Sequence, residues 1–367
     1  MRRTTWMPWM WALAVVSACG GPDTTDPTGT TDEDCVGVVT ELEDGSITSD
    51  ATWSCTVRYQ GDLRIQEGAT LTLDPCTRIE LGPSSRVFVR DQGRLVAVGT
   101  EACPITFTSS SEAPVAGDWR TFDLDDTAEN SQLEHVIFEY GGGSGPQIAG
   151  TGLFDLTSVT VRDVADVALE LDRGRVVALT DITVERSADY PLVLLMDDVE
   201  TLDGLTVSEL GEPAILASSR VPLTVDSVWD DEGIPYAFEG TANVEANLDV
   251  AEGVTLWMTA DSRAFVRDGG TLDLLGTEAA PVVIESAAET PFPGDWRHIV
   301  FDNTGGVSAW SHAAVRHGGA TGVGAVRIES DNRVSFDTVV FEDNLDCDVE
   351  TRGHEVPATD TTFTDCE

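Results

Sequence analysis

The side chains that could do chemistry in this chain lie heavily on the acid side. Across 367 residues there are 65 Asp and Glu, 21 basic residues and 5 His, for a formal charge of −44. Every one of the 21 basic residues is arginine, so a mechanism that needs a lysine base or Schiff base has no residue to use. The adjacent acids Asp125-Asp126, Asp197-Asp198 and Asp230-Asp231 could act as an acid–base pair only if both carboxylates converged on one atom. Neighbours on an extended chain point to opposite faces, so these pairs read as solvated turn residues. The histidines lack zinc-site spacing, and no cysteine cluster supports such a site. Arg316-His317 beside Gly318-Gly319 is the only basic pair near a Gly-rich turn, and it is a weak site. No glycine-rich phosphate loop sits between a strand and a helix, and the acidity argues against nucleic acid as a partner. Calcium is compatible with this much carboxylate, but no residues can be assigned to it, and no cofactor is expected.

Behind these side chains stands an export signal. Arg2 and Arg3 precede an apolar run, Trp6 to Val16, that is too short to span a bilayer, and small residues follow it. "VSAC", residues 16–19, resembles the bacterial lipobox, which implies a leader over 1–18, cleavage before Cys19 and acylation of that cysteine. The Gly-, Pro-, Thr- and Asp-rich stretch over 19–34 suits a flexible tether. Acyl chains contribute about 0.8 kcal/mol per buried methylene, so the expected partner at this end is a membrane. The remaining body is 41% apolar by whole-chain composition, which is ordinary for a folded protein.

What positions the remaining residues is a repeat. "LRIQEGATL" (63–71) matches "LDVAEGVTL" (248–256), and "FVRDQGRLVAVGTEACP" (88–104) matches "FVRDGGTLDLLGTEAAP" (265–281). The offset falls from 185 to 177 because the second copy lacks eight residues between the blocks. It then holds through Trp119 and Trp296, His135 and His312, and the glycine pairs 141–142 and 318–319. The two related segments run over about 53–226 and 229–367, with an N-terminal cap over 35–60 and a repeat body over 61–367.

A shorter period runs inside the long one. "LEHVIF" at 133, "LTSVTV" at 156, "LTDITV" at 179, "LDGLTV" at 202 and a looser "LTVDSV" at 223 are spaced by 23, 23, 23 and 21 residues. The frame returns as "WSHAAV" at 310, "FDTVVF" at 336 and "ATDTTF" at 358. Each unit is rich in β-branched residues and ends in turn formers, so it reads as strand then turn. One unit cannot bury its own apolar face, and stacked units can.

Here a family resemblance becomes specific. "ATWSC", Tyr59, "EGATLTLDPCTRIEL", "GRLVAVGTEACPITFTSS" and "GDW" follow the pattern of the bacterial-surface proteins with a right-handed parallel β-helix, in the pectin-lyase-like superfold. The pattern covers about 50–145 and again 227–320. The resemblance implies an all-β solenoid with an internal duplication, in which Cys76 replaces the glycine usual after Pro75. It also implies that the tryptophan of "GDWR" packs at the start of a strand. At 117–120 and 294–297, Asp and Arg two apart would share one face, and the motif reads as scaffold. The hydrolase set "NTD", "DD" and "GHG" is not present as an ordered group.

Six cysteines besides Cys19 allow fifteen pairings in an oxidising compartment. Cys76 and Cys103 are expected partners, because the second copy lacks the segment of one and has Ala280 in place of the other. Cys35 with Cys55 would then close the N-terminal cap, and Cys347 with Cys366 the last coil. The expected protein is an exported rod in the cell envelope, anchored at the outer membrane or cell surface. Its expected role is structural, adhesive or polymer-binding, with a polysaccharide or surface protein as partner. The alternative is a polysaccharide lyase or glycoside hydrolase acting in a groove of the β-helix.

Overall fold

A computed structural model of the chain describes residues 39–125, 131–302, 306–330 and 333–366. Its strands are short, mostly two to five residues, and the pairings between coils are parallel. Within most strands burial alternates: in Thr70–Leu73 the two leucines point in and the two threonines out. Parallel sheets are usually covered on both faces, but here each sheet folds around a shared core and leaves its other face to water, so an in–out alternation is required. The result is an all-β parallel β-solenoid of about 13 turns. The single helical element among the described residues is a short 3-10 helix, Met196–Thr201.

Each turn presents three strands. In the first half, the first face stacks Thr70–Leu73, Arg94–Val98, Ser131–Glu134 and Leu153–Thr157. The second face stacks Arg78–Leu81, Ile105–Ser109, Val136–Glu139 and Thr160–Val164. The third stacks Val87–Val89, Phe122–Leu124, Ile148–Gly150 and Leu169–Glu170. The 23-residue period is the rise of one coil: Leu133, Leu156, Leu179 and Leu202 are directly paired, one above another, in the core. Likewise Trp310 stacks on Phe336, and Phe336 on Ala358.

The looser unit at 223 breaks that column. Leu223 pairs with Val244 instead of extending the stack of Leu202. At this point the strand frame slips by one face. The third-face strands Leu192–Leu195 and Ile215–Ser218 are continued by Tyr236–Phe238, then Thr255–Met258, then Val282–Ser286. In sequence, Val282–Ser286 matches Ile105–Ser109, a strand of the second face. The vacated third position is taken by a separate five-stranded sheet, Thr241–Val244, Arg263–Val266, His298–Phe301, Val326–Ile328 and Val349–Glu350.

The missing eight residues also change what the first matched block does. Thr70–Leu73 pairs with Arg94–Val98, whereas its sequence match Thr255–Met258 pairs with Val282–Ser286. Without a strand equivalent to Arg78–Leu81, the chain reaches the next corner one strand early. "LRIQEGATL" and "LDVAEGVTL" thus occupy successive faces of their coils, and strict equivalence of the two segments begins only after that block.

Candidate functional site

The tryptophan of each repeated "GDWR" faces inward and the aspartate is tied to its own loop. Trp119 and Trp296 are both 0% exposed. Their Nε1–H groups donate to the carbonyls of Glu139 (2.9 Å) and Arg316 (2.7 Å), so a buried polar tip is satisfied in each. Asp118 accepts from Ser109 Oγ at 2.7 Å and from the Val115 amide at 3.2 Å. Asp295 accepts from Ser286 Oγ at 2.7 Å and from the Phe292 amide at 3.0 Å. The carboxylate therefore closes the preceding loop instead of pairing with the arginine two residues on. Arg297 turns to Asp261, at 2.9 Å.

Cys76 is bonded to Cys103, with Cα atoms 4.5 Å apart, and Cys347 to Cys366, at 5.6 Å. Cys76 has φ 65°, a left-handed conformation, which is the physical reason a glycine suits that position. Cys55 is disulfide-bonded. Its expected partner Cys35, and the lipidation candidate Cys19, lie outside the described residues.

Of the three acid pairs, Asp126 lies outside the described residues, and the carboxylates of Asp197 and Asp198 go to different surroundings. Asp197 accepts from the Thr224 amide (2.7 Å), Thr224 Oγ1 (2.8 Å) and the Val225 amide (3.2 Å), clamping the connection at the frame slip. Asp198 turns the other way, with Oδ2 enclosed and unpartnered, and burial pushes its carboxyl up to about 6. Both belong to the short 3-10 helix and not to a strand turn. Asp231 caps its own turn through the Gly233 amide at 2.9 Å. Among the described residues no group of three or more His, Cys, Asp or Glu side chains is arranged to hold a metal ion.

His135 and His312 are corner residues, with φ 49° and 45°. A groove of about 390 Å³ runs along the first of these corners, lined by Glu101, His135, Ser158, Thr160, Asp181 and Thr183, among others. His135, Ser158 and Asp181 come from successive coils at the same left-handed corner, so they form a column and not a relay centred on the histidine.

Outside the core, charge is arranged in ladders one coil apart. Arg58 lies 2.8 Å from Glu41 and 2.7 Å from Glu80. Two coils further on, Thr108 donates to Glu139 at 2.7 Å and Arg162 lies 2.7 Å from the same carboxylate. Arg316, the sequence match of Glu139, sits between Glu285 (3.6 Å) and Glu342 (3.0 Å), so the rung keeps its place with the signs reversed.

Sequence reasoning missed one outward motif that straddles the start of a matched block. Arg86-Val87-Phe88-Val89-Arg90 recurs as Arg263-Ala264-Phe265-Val266-Arg267. Both valines of the first copy are buried, so Arg86, Phe88 and Arg90 face out. Arg86 and Arg90 lie 5.1 and 5.4 Å from the Phe88 ring, and Arg263 and Arg267 lie 5.8 and 5.7 Å from that of Phe265. The signal available was the alternation itself, read for its outward half instead of its apolar half.

The family model described as "Pectate-lyase like beta helix domain" matches residues 45–143. No curated protein and no solved structure matches the chain. The matched stretch contains the Trp119 coil and the Cys76–Cys103 bridge, and the coils beyond it repeat the same strand architecture. The chain has the pectin-lyase-like parallel β-helix fold.

Proposed function

We propose that this chain is an exported, lipid-anchored β-helix of the cell envelope that binds a surface polymer, such as a polysaccharide, or a partner protein, and does not turn it over. The observation that carries the reading is the use made of the matched residues. Trp119, Trp296, Asp118 and Asp295 are engaged by the scaffold, and among the described residues the outer faces carry ion-pair ladders instead of a converging acid and base. An extended field of this kind suits contact along a polymer. The fold alone is compatible with an enzyme, so the test must separate binding from turnover.

Pectin, alginate and glycosaminoglycan are added to the purified chain, with and without calcium. The expected result is a saturable rise in melting temperature with no unsaturated or reducing sugar ends released. Release of such ends, abolished by changing one acid or arginine in a groove, would replace this reading with a catalytic one. The anchor is tested separately: Cys19→Ser should move the protein from the membrane to the soluble fraction, and an unmodified mature N-terminus elsewhere would sink that part.

A further inference from the structure

The two outward Arg–Phe–Arg strands differ in what stands beside them, and the difference is concentrated in one place. In the first half, Phe88 pairs across the coil with Asp123, and Asp123 with Ala149. In the second, Phe265 pairs with Val300, and Val300 with Arg327. Thr121 is replaced at the matched position by His298, which pairs directly with Arg263. The second half has thus lost a carboxylate and gained an imidazole and a guanidinium on one outward patch of a chain whose formal charge is −44. Glu329 is gained beside Arg327 and bonds it, so the unbalanced part of the change is the pair formed by Arg263 and His298, and a repeat altered at neighbouring outward positions suits a ligand site.

We propose that His298, Arg263 and Arg327 form an oxyanion-binding site on the five-stranded face, taking the sulfate, phosphate or carboxylate group of a ligand. Nδ1 of His298 is enclosed and has no hydrogen-bond partner. A bare buried N–H is rarer and more costly than a bare lone pair, so the neutral ring carries its proton on Nε2, leaving a donor there for a ligand. Arg263 uses Nε on Thr241 Oγ1, at 3.0 Å, and among the described residues no carboxylate is ion-paired with it. Its guanidinium ends are therefore available as a fork for an oxyanion. Arg327, on the next coil, lies 2.7 Å from Glu329 and 3.6 Å from Glu350 and closes the other side. The Phe265 ring stands edge-on to the imidazole, at 6.5 Å, and backs the patch with apolar surface.

The electrostatics agree with this geometry. Burial first, then Arg327, Arg263 and Arg297, bring His298 down to about 4. Glu329 and Glu350 bond the arginine of the next coil and Asp261 bonds Arg297, so among the described residues Arg263 is the guanidinium beside the ring with no carboxylate of its own. An anion bound at Arg263 would offset that guanidinium and let the imidazole take up a proton. The proposal does not depend on the polymer-binding reading, because a small anion suffices to occupy the site.

The test uses the full chain labelled at its five histidines and follows the imidazole signals by NMR. Sodium sulfate, sodium phosphate and sodium acetate are titrated at constant ionic strength made up with chloride, and His298→Gln assigns the signal. The His298 resonance is expected to move saturably, with its titration midpoint rising by about one unit or more. Arg263→Gln should weaken the response about tenfold or more. Arg263→Lys, which keeps the charge and loses the fork, should also weaken it. A response to the tetrahedral anions alone marks a sulfate or phosphate group, and a response to acetate as well marks a carboxylate. No saturable shift by about 50 mM anion, or an unchanged response in a folded Arg263→Gln protein, would overturn the site.

Discussion

Asp198 shows how one side chain can register a frame change. Its carboxyl is half inside the corner made by the 3-10 helix, with Oδ2 unpartnered. Burial is the largest cause of its rise to about 6, opposed by a backbone hydrogen bond at Val176 and aided by the charge of Asp197. The folded chain therefore holds this proton more tightly than the unfolded chain, whose carboxylate titrates near 4. The stabilisation is complete below about pH 4 and is lost as the pH climbs to about 6. Asp198→Asn should raise stability at pH 7 by about 1–2 kcal/mol, a figure already discounted for partial solvent screening. It should also flatten the fall in melting temperature between pH 4 and 6. An unchanged melt at pH 7 would show that the corner opens to water around the carboxylate.

At the scale of the element, each coil depends on its neighbours, and the disulfides tie segments of neighbouring coils together. The Cys76–Cys103 bridge ties the corner loop that the second half lacks to the loop over 99–104, across 27 residues. The Cys76 amide also donates to the Cys103 carbonyl at 3.2 Å. Cys347–Cys366 holds the last coil, in which Phe363 packs on Phe336 and Phe341. Replacing Cys76 and Cys103 together by serine should cost about 2–4 kcal/mol. Since the loop lies away from the ends, hydrogen exchange should quicken around 74–104 and leave 334–366 unchanged. Replacing Cys347 and Cys366 should have the reverse footprint, with fraying from the C-terminal end. Uniform exchange along the chain in either variant would contradict the nearest-neighbour picture.

At the scale of the whole molecule, the formal charge of −44 opposes compaction while the ladders hold adjacent coils together. Exposed ion pairs contribute about 0–1 kcal/mol each and weaken in salt. The like-charge repulsion acts between every pair of coils and is screened over about 10 Å at 0.1 M salt. The repulsion is the larger quantity, so raising NaCl from about 20 to about 300 mM should raise the melting temperature by about 3–6 °C. A fall in melting temperature would mean that the ladders outweigh the net charge.

Much of this protein was legible from its sequence because the solenoid is built from local repeats. The spacing of Leu133, Leu156, Leu179 and Leu202 equals one coil, so periodicity alone implied stacking and a shared core. The paired loss of Cys76 and Cys103 from the second copy pointed to partners for the same reason. The frame slip was hidden, because a repeat records which residues match and not which neighbour each strand meets. Leu223 looks like another unit but pairs with Val244 on a different face. The patch at His298 was hidden as well, since Arg263, His298 and Arg327 are spread over 65 positions of sequence and meet only where three coils stack. Local pattern fixes how a coil turns, and only the stacking of coils decides which outward side chains share a surface.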